Sequence, residues 1–145
     1  MIKGFRHTGI VVRDLEKSIV FYQSLCFELH TKNIEQGSSV EQIVNIQNVK
    51  LETAKLSAPG NSNIELLQYH SHPSEATIKK HESNELGCSH IALTVEDIEQ
   101  FLNKVEENGG SKVNPPSLSK NKRFLVAYCH DPEGVLLEIV QELGI

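Results

Sequence analysis

His7-Thr8-Gly9-Ile10-Val11-Val12-Arg13-Asp14-Leu15-Glu16 and His90-Ile91-Ala92-Leu93-Thr94-Val95-Glu96-Asp97-Ile98-Glu99 follow one pattern. Each has a histidine, a valine five positions on, then an aspartate followed by Leu or Ile and Glu. A second pattern closes each half of the chain. It reads Ile64-Glu65-Leu66-Leu67-Gln68 in the first and Leu137-Glu138-Ile139-Val140-Gln141 in the second. Two patterns in the same order in both halves indicate an internal duplication, and a duplicated unit decides the fold.

Each half has the same expected layout. A short strand, Gly9 to Val12 or Ile91 to Val95, runs into an aspartate suited to N-capping a helix. Leu15, Ile19, Tyr22 and Cys26 recur at helical spacing in the first half, as do Ile98, Phe101, Leu102 and Val105 in the second. Gly109-Gly110 supplies a helix stop. Strands are expected at Val40 to Val44, Val49 to Leu56 and Asn63 to Gln68, then at Arg123 to Cys129 and Val135 to Val140. Asp131-Pro132-Glu133-Gly134 forms the turn between the last two. The chain thus reads as an α+β protein of two tandem βαβββ modules within one domain, 1–145. Module one covers about 5–70, a polar connector 71–87, and module two about 88–141.

Alternation along a strand places Glu138 on one face with Leu136 and Val140, and Glu65 with Leu67. A carboxylate within an apolar strand is costly unless paired. No Lys or Arg recurs at matched positions of the halves, whereas a histidine does. His7, Glu65, His90 and Glu138 together make a plausible four-ligand set for one divalent cation. Mixed nitrogen and oxygen donors suit Zn, Ni, Co, Mn or Fe better than Ca or Mg. The remaining histidines have blander readings. His30 follows a helix, His70 and His72 lie at the connector, His81 is in a charged run, and nothing in the spacing of His130 requires a role.

Composition narrows the function classes. The 145 residues carry 14 Lys+Arg against 19 Asp+Glu, a net charge of −5, which argues against a nucleic-acid or anionic-membrane surface. No apolar run approaches the about 18 residues of a membrane span, and the N-terminus shows no apolar signal core. The three cysteines, Cys26, Cys88 and Cys129, are odd in number, far apart and in apolar contexts, so they read as small hydrophobes without a disulfide framework or zinc ribbon. A soluble, reducing, cytoplasmic setting is expected. Asn114 to Arg123 is turn-rich and locally basic, which suggests a lid receiving an anionic substrate.

With these motifs the chain resembles the vicinal oxygen chelate superfamily of glyoxalase I, methylmalonyl-CoA epimerase, extradiol dioxygenases and antibiotic-resistance proteins. The resemblance rests on His7-Thr8, Val12, Asp14-Leu15, Ser18-Ile19, Phe21-Tyr22, Ile64-Glu65-Leu66, His90-Ile91-Ala92 and Asp131-Pro132-Glu133-Gly134 before Leu137-Glu138. It implies a cupped mixed β-sheet around a metal held by His7, Glu65, His90 and Glu138. It also implies a small-molecule substrate and Lewis-acid polarisation of a carbonyl with enolate stabilisation, a glyoxalase- or epimerase-like lyase or isomerase reaction. Glu138 or Glu65 would act as the base, and Glu41 lies roughly where the epimerases place theirs. Family members assemble such sites within one chain or between two, so a homodimer is compatible with the pattern.

Departures from the subfamilies are specific. Glyoxalase I enzymes bind glutathione through an arginine where this chain has Val11 and an asparagine where it has Tyr69. The epimerases differ at Glu65, at Ser89-His90 and at His130-Asp131-Pro132. Two alternatives remain: an iron(II) extradiol-type dioxygenase using His7, His90 and Glu138, and a non-catalytic resistance-type binding protein. The latter would need an aromatic cage, and only 6% of residues are aromatic, none of them tryptophan.

Overall fold

The computed structural model describes residues 1–60 and 62–144. The chain divides into two units, 1–76 and 77–145. In the first, β1 (Thr8–Val11) leads into α1 (Leu15–Ser24), β2 (Glu28–Gln36), α2 (Ser38–Val44), β3 (Lys50–Ser57) and β4 (Asn63–Tyr69). The strands form one sheet in the order β1-β4-β3-β2, with β1 parallel to β4 and the other pairs antiparallel.

Helix α1 forms because Asp14 accepts from the Lys17 N–H at 3.0 Å and an apolar stripe follows. Its buried Leu15, Ile19 and Tyr22 face a sheet surface whose Ala54, Leu56, Ile64 and Leu66 are also buried. Burial of each large apolar side chain contributes about 1.5–3 kcal/mol. Tyr22 adds edge-to-face contacts with Phe21 and Phe27. The opposite sheet face, which carries Glu65, is covered at one end by a cluster of Val40, Val49 and Leu51 with Val44, Ile46, Leu67 and Tyr69.

That cluster corrects one expectation. Residues Val40 to Val44 are helical, because Val40, Ile43 and Val44 fall at i, i+3 and i+4 and turn Val40 and Val44 onto Leu51. Gly37 at φ 96° starts the helix and Asn45 at φ 56° ends it in the left-handed region. The first half still has three strands after α1, because Glu28–Gln36 forms β2, a polar edge strand without apolar alternation whose ladder to β3 holds it.

The second unit repeats the plan. It runs β5 (Ile91–Val95), α3 (Ile98–Glu107), β6 (Ser111–Lys112), β7 (Ser117–Leu118), β8 (Phe124–His130) and β9 (Leu136–Glu142). The sheet order is β5-β9-β8-β6, with β7 also pairing β8. Asp97 caps α3 by accepting from the Gln100 N–H at 2.9 Å, and Ile98, Leu102 and Val105 are buried. The helix stops at Gly109, φ 90°. Gly110 then passes so close to β8 that a Cβ there would lie 2.5 Å from the His130 carbonyl oxygen.

The segment expected to be a lid is a hydrogen-bonded hairpin. Ser119 N–H donates to Phe124 O at 2.8 Å, Lys122 N–H donates to Ser119 O at 2.8 Å, and β7 pairs with β8. Residues 77–87 contain no helix or strand. They are tied to the β8–β9 turn by the His81 N–H donating to Gly134 O at 3.0 Å.

Candidate functional site

In the first unit, β1 runs parallel to β4 with Gly9 opposite Glu65, so His7 stands two residues ahead of that register. Its Nε2 lies 3.0 Å from Glu65 Oε2. In the second unit Ala92 is opposite Glu138, and His90 again stands two residues ahead, with Nε2 3.2 Å from Glu138 Oε2. The sequence repeat is therefore a repeat of contacts. All four side chains are partly accessible, at 30% and 15% exposure for the first pair and 30% and 25% for the second. Within each unit, among the described residues, no further His, Cys, Asp or Glu joins the pair to make a three-donor cluster.

The antiparallel neighbours of the two glutamates differ. Lys55 is opposite Glu65, with Nζ 3.6 Å from Oε1. Tyr128 is opposite Glu138 and donates its O–H to Oε1 at 3.3 Å. Burial first, and then the charge of Glu138, push the Tyr128 phenol above its ordinary range, so it remains a donor at neutral pH. Tyr128 also packs edge-on against His90, with ring centroids 5.4 Å apart. Sequence reading misses both neighbours, although each lies ten residues before its glutamate. That spacing becomes informative only once the strand pairing is known.

His90 shows whether these residues suit a cation. The Ser89 hydroxyl spends its proton on the Ser83 carbonyl at 2.7 Å. Its contact with His90 Nδ1, at 3.0 Å, is therefore one in which Nδ1–H donates. A neutral His90 then presents the Nε2 lone pair to the carboxylate of Glu138. Two acceptors facing at 3.2 Å repel unless a proton or a cation is shared between them. Imidazole nitrogen and carboxylate oxygen are donors of the kind transition metals take, and a hydrogen bond at the far ring nitrogen is the usual support for such a ligand.

The other candidates are placed as follows. Glu41 lies on α2 instead of a strand and, among the described residues, has no ion pair or hydrogen bond to the His7–Glu65 pair of its own unit. His30, on β2, is hydrogen-bonded to Ser57. His70 meets Glu52 at 2.8 Å, and His72 meets the Ser71 hydroxyl at 2.8 Å. The His81 ring pairs with Glu85. His130 is buried, with Nε2 donating to His81 O at 2.7 Å, so it is committed to the fold. Of the cysteines only Cys129 is buried, and burial pushes its thiol up to about 12, whereas Cys26 and Cys88 are exposed.

The comparisons with known proteins agree with this architecture. A family model described as Glyoxalase/Bleomycin resistance protein/Dioxygenase superfamily matches residues 4–139. The chain belongs to this superfamily. A glyoxalase family protein from Bacillus cereus shares its fold with a TM-score of 0.91 at 25% identity, covering 99% of this chain and 97% of that one. A protein from Synechocystis named probable lactoylglutathione lyase is 38% identical over 55 residues, which span 38% of this chain and 42% of that protein's length. The lactoylglutathione lyase of Salmonella typhimurium is 23% identical over 142 residues, covering 93% of this chain and 90% of that one. Members of this superfamily include enzymes and act on small molecules. No helix among the described residues is long and apolar enough to cross a membrane.

Proposed function

We propose that this superfamily member is a divalent-metal-dependent lyase or isomerase of the glyoxalase kind, acting on a small anionic carbonyl compound. His7, Glu65, His90 and Glu138 are its metal ligands, assembled within one chain or between two copies. The observation that carries the reading is the doubled His–Glu contact at one register, 3.0 and 3.2 Å. The relatives named lactoylglutathione lyase support the reaction class.

The chemistry supplied on metal binding is Lewis-acid polarisation of a carbonyl and stabilisation of charge developing on its oxygen. Ser89 fixes the His90 tautomer so that Nε2 offers its lone pair. Tyr128 holds one oxygen of Glu138 and leaves the other for the site. Glu138 or Glu65 takes the proton from the carbon α to the carbonyl and returns it to the neighbouring carbon in a lyase or isomerase step, or to the opposite face of the same carbon in an epimerisation. Glu41 is the reserve candidate for this base.

A second reading is an iron(II) extradiol-type dioxygenase with His7, His90 and Glu138. The Lys55 ammonium 3.6 Å from Glu65 favours it, because a neighbouring cation makes Glu65 the carboxylate most readily left out of the ligand set.

Turnover of α-ketoaldehyde thiol adducts, acyl-CoA thioesters and catechols by protein loaded with Ni, Co, Zn or Fe(II) tests the proposal. Turnover of either carbonyl class with Ni, Co or Zn supports the lyase or isomerase, and catechol cleavage with Fe(II) moves the assignment to the dioxygenase. Loss of turnover in Glu41→Gln with metal content intact would move the base to α2. Inactivity on all three classes with every metal would overturn the proposal.

A further inference from the structure

A pocket of about 210 Å³ opens beside His7 in the first unit, lined by Arg6, His30, Thr31, Lys55 and Asn63. Its volume lies below the roughly 300 Å³ at which pockets for drug-sized ligands begin, so it suits one functional group. Nearly every lining side chain is a hydrogen-bond donor. Arg6 presents a guanidinium fork, Lys55 an ammonium, Asn63 an amide and Thr31 a hydroxyl.

The lining is also assembled by the fold. Thr31 stands opposite Lys55 across the β2–β3 ladder. Ser57 and Asn63 are opposite one another across β3–β4, and Ser57 holds the His30 ring through a 2.6 Å hydrogen bond. Asn63 Nδ2 donates to the Arg6 carbonyl at 3.4 Å, which ties the segment before β1 to the pocket wall. Among the described residues the Arg6 guanidinium has no carboxylate partner, and the Lys55 contact with Glu65, at 3.6 Å, is loose enough to leave donors over. Two cationic residues, Arg6 and Lys55, thus line one small cavity in a chain of net charge −5.

We propose that this pocket is an oxyanion site, and that it binds the carboxylate or phosphate end of the substrate next to the His7–Glu65 pair. The assignment to a substrate rests on the function proposed above; the oxyanion site itself does not. Arg6 and Lys55 would bind a tetrahedral or planar oxyanion through charge-assisted hydrogen bonds, with Asn63 and Thr31 completing the donor set. The pocket lies apart from Val11 and Tyr69, the positions at which a glutathione-binding arginine and asparagine are missing.

Calorimetric titration of chelator-treated full-length protein at low ionic strength, with inorganic phosphate and with malonate, tests this. Saturable binding of phosphate alone assigns a phosphate end and binding of malonate alone a carboxylate end; binding of both supports a general oxyanion site. Arg6→Ala and Lys55→Ala should each weaken binding by about fivefold or more, and Lys104→Ala, which removes an exposed charge on α3, should leave it unchanged. Saturable binding of neither ion, or an equal loss in Lys104→Ala, would overturn the proposal. The titration uses metal-free protein, so its failure leaves the metal reading standing, and failure of metal binding leaves the oxyanion site standing.

Discussion

The side chain of Gln68, on β4, accepts a hydrogen bond from the backbone N–H of Leu15 at 2.9 Å. Gln141, on β9, does the same for Ile98 at 3.0 Å. Each glutamine thereby satisfies one of the free N–H groups of a helix start, while Asp14 or Asp97 satisfies another. The last residue of one repeated sequence pattern thus locks onto the aspartate-capped helix start in the other. A strand, the helix after it and the module's final strand are joined at one point.

Gln68→Ala and Gln141→Ala should each lower unfolding free energy by about 1 kcal/mol, the net contribution of one such bond. Urea denaturation with an unchanged slope and a lowered midpoint would show it. Midpoints equal to that of the parent protein would mean that solvent replaces the glutamine at no cost.

Gly134 stands at φ 87°, and a Cβ there would lie 2.1 Å from the carbonyl oxygen of Lys79. Gly134→Ala should therefore displace the 77–87 segment and destabilise the protein by about 1–3 kcal/mol. Limited trypsin digestion of the variant should cut after Lys79 or Lys80 faster than in the parent. Equal cleavage rates would show that the segment does not depend on this close approach.

The repeat, the two helices after the aspartates and the two His–Glu pairs were all legible in the sequence, because each rests on a pattern that occurs twice. Strand β2 was not. Glu28 to Gln36 is polar on both faces and owes its conformation to the β3 ladder, so no periodicity marks it. Val40 to Val44 is too short for period two and period 3.6 to be told apart without its contacts to Val49 and Leu51. Lys55, Tyr128 and the Arg6 pocket were hidden for another reason. They depend on cross-strand neighbours, which sequence spacing cannot supply.

The hydrogen bond from His70, and then the one from Lys32, hold the Glu52 carboxyl below its ordinary 4.5. Lys79 and the Glu82 backbone lower half-buried Glu85 to about 2. Both carboxyls are depressed in the folded state, so their stabilisation is complete above pH 4.5 and is lost as pH falls below it, for Glu85 down to about 2. Glu52→Gln and Glu85→Gln should each flatten the acid limb of stability against pH, Glu85 modestly because its pairs are at the surface. An unchanged acid limb in both would contradict this.

Native protein at pH 8 should react with a thiol reagent at two cysteines, Cys26 and Cys88, and leave Cys129 unmodified until the chain unfolds. Three fast thiols in the folded state would contradict the burial of β8.

Tyr128→Phe should leave the melting temperature within a few degrees of the parent and weaken divalent-metal affinity about tenfold, the usual effect of removing a hydrogen bond to a ligand. Unaltered affinity would show that the Tyr128 contact with Glu138 does not orient the carboxylate.

The central claim, that the repeated His–Glu contacts are metal ligands, is tested most directly by elemental analysis after dialysis against divalent cations. Parent protein should retain a stoichiometric transition metal. His7→Ala, Glu65→Gln, His90→Ala and Glu138→Gln should each lose most of it, with far-ultraviolet circular dichroism unchanged. A parent protein that retains no metal, or Glu65→Gln and Glu138→Gln proteins with full metal content, would contradict the account.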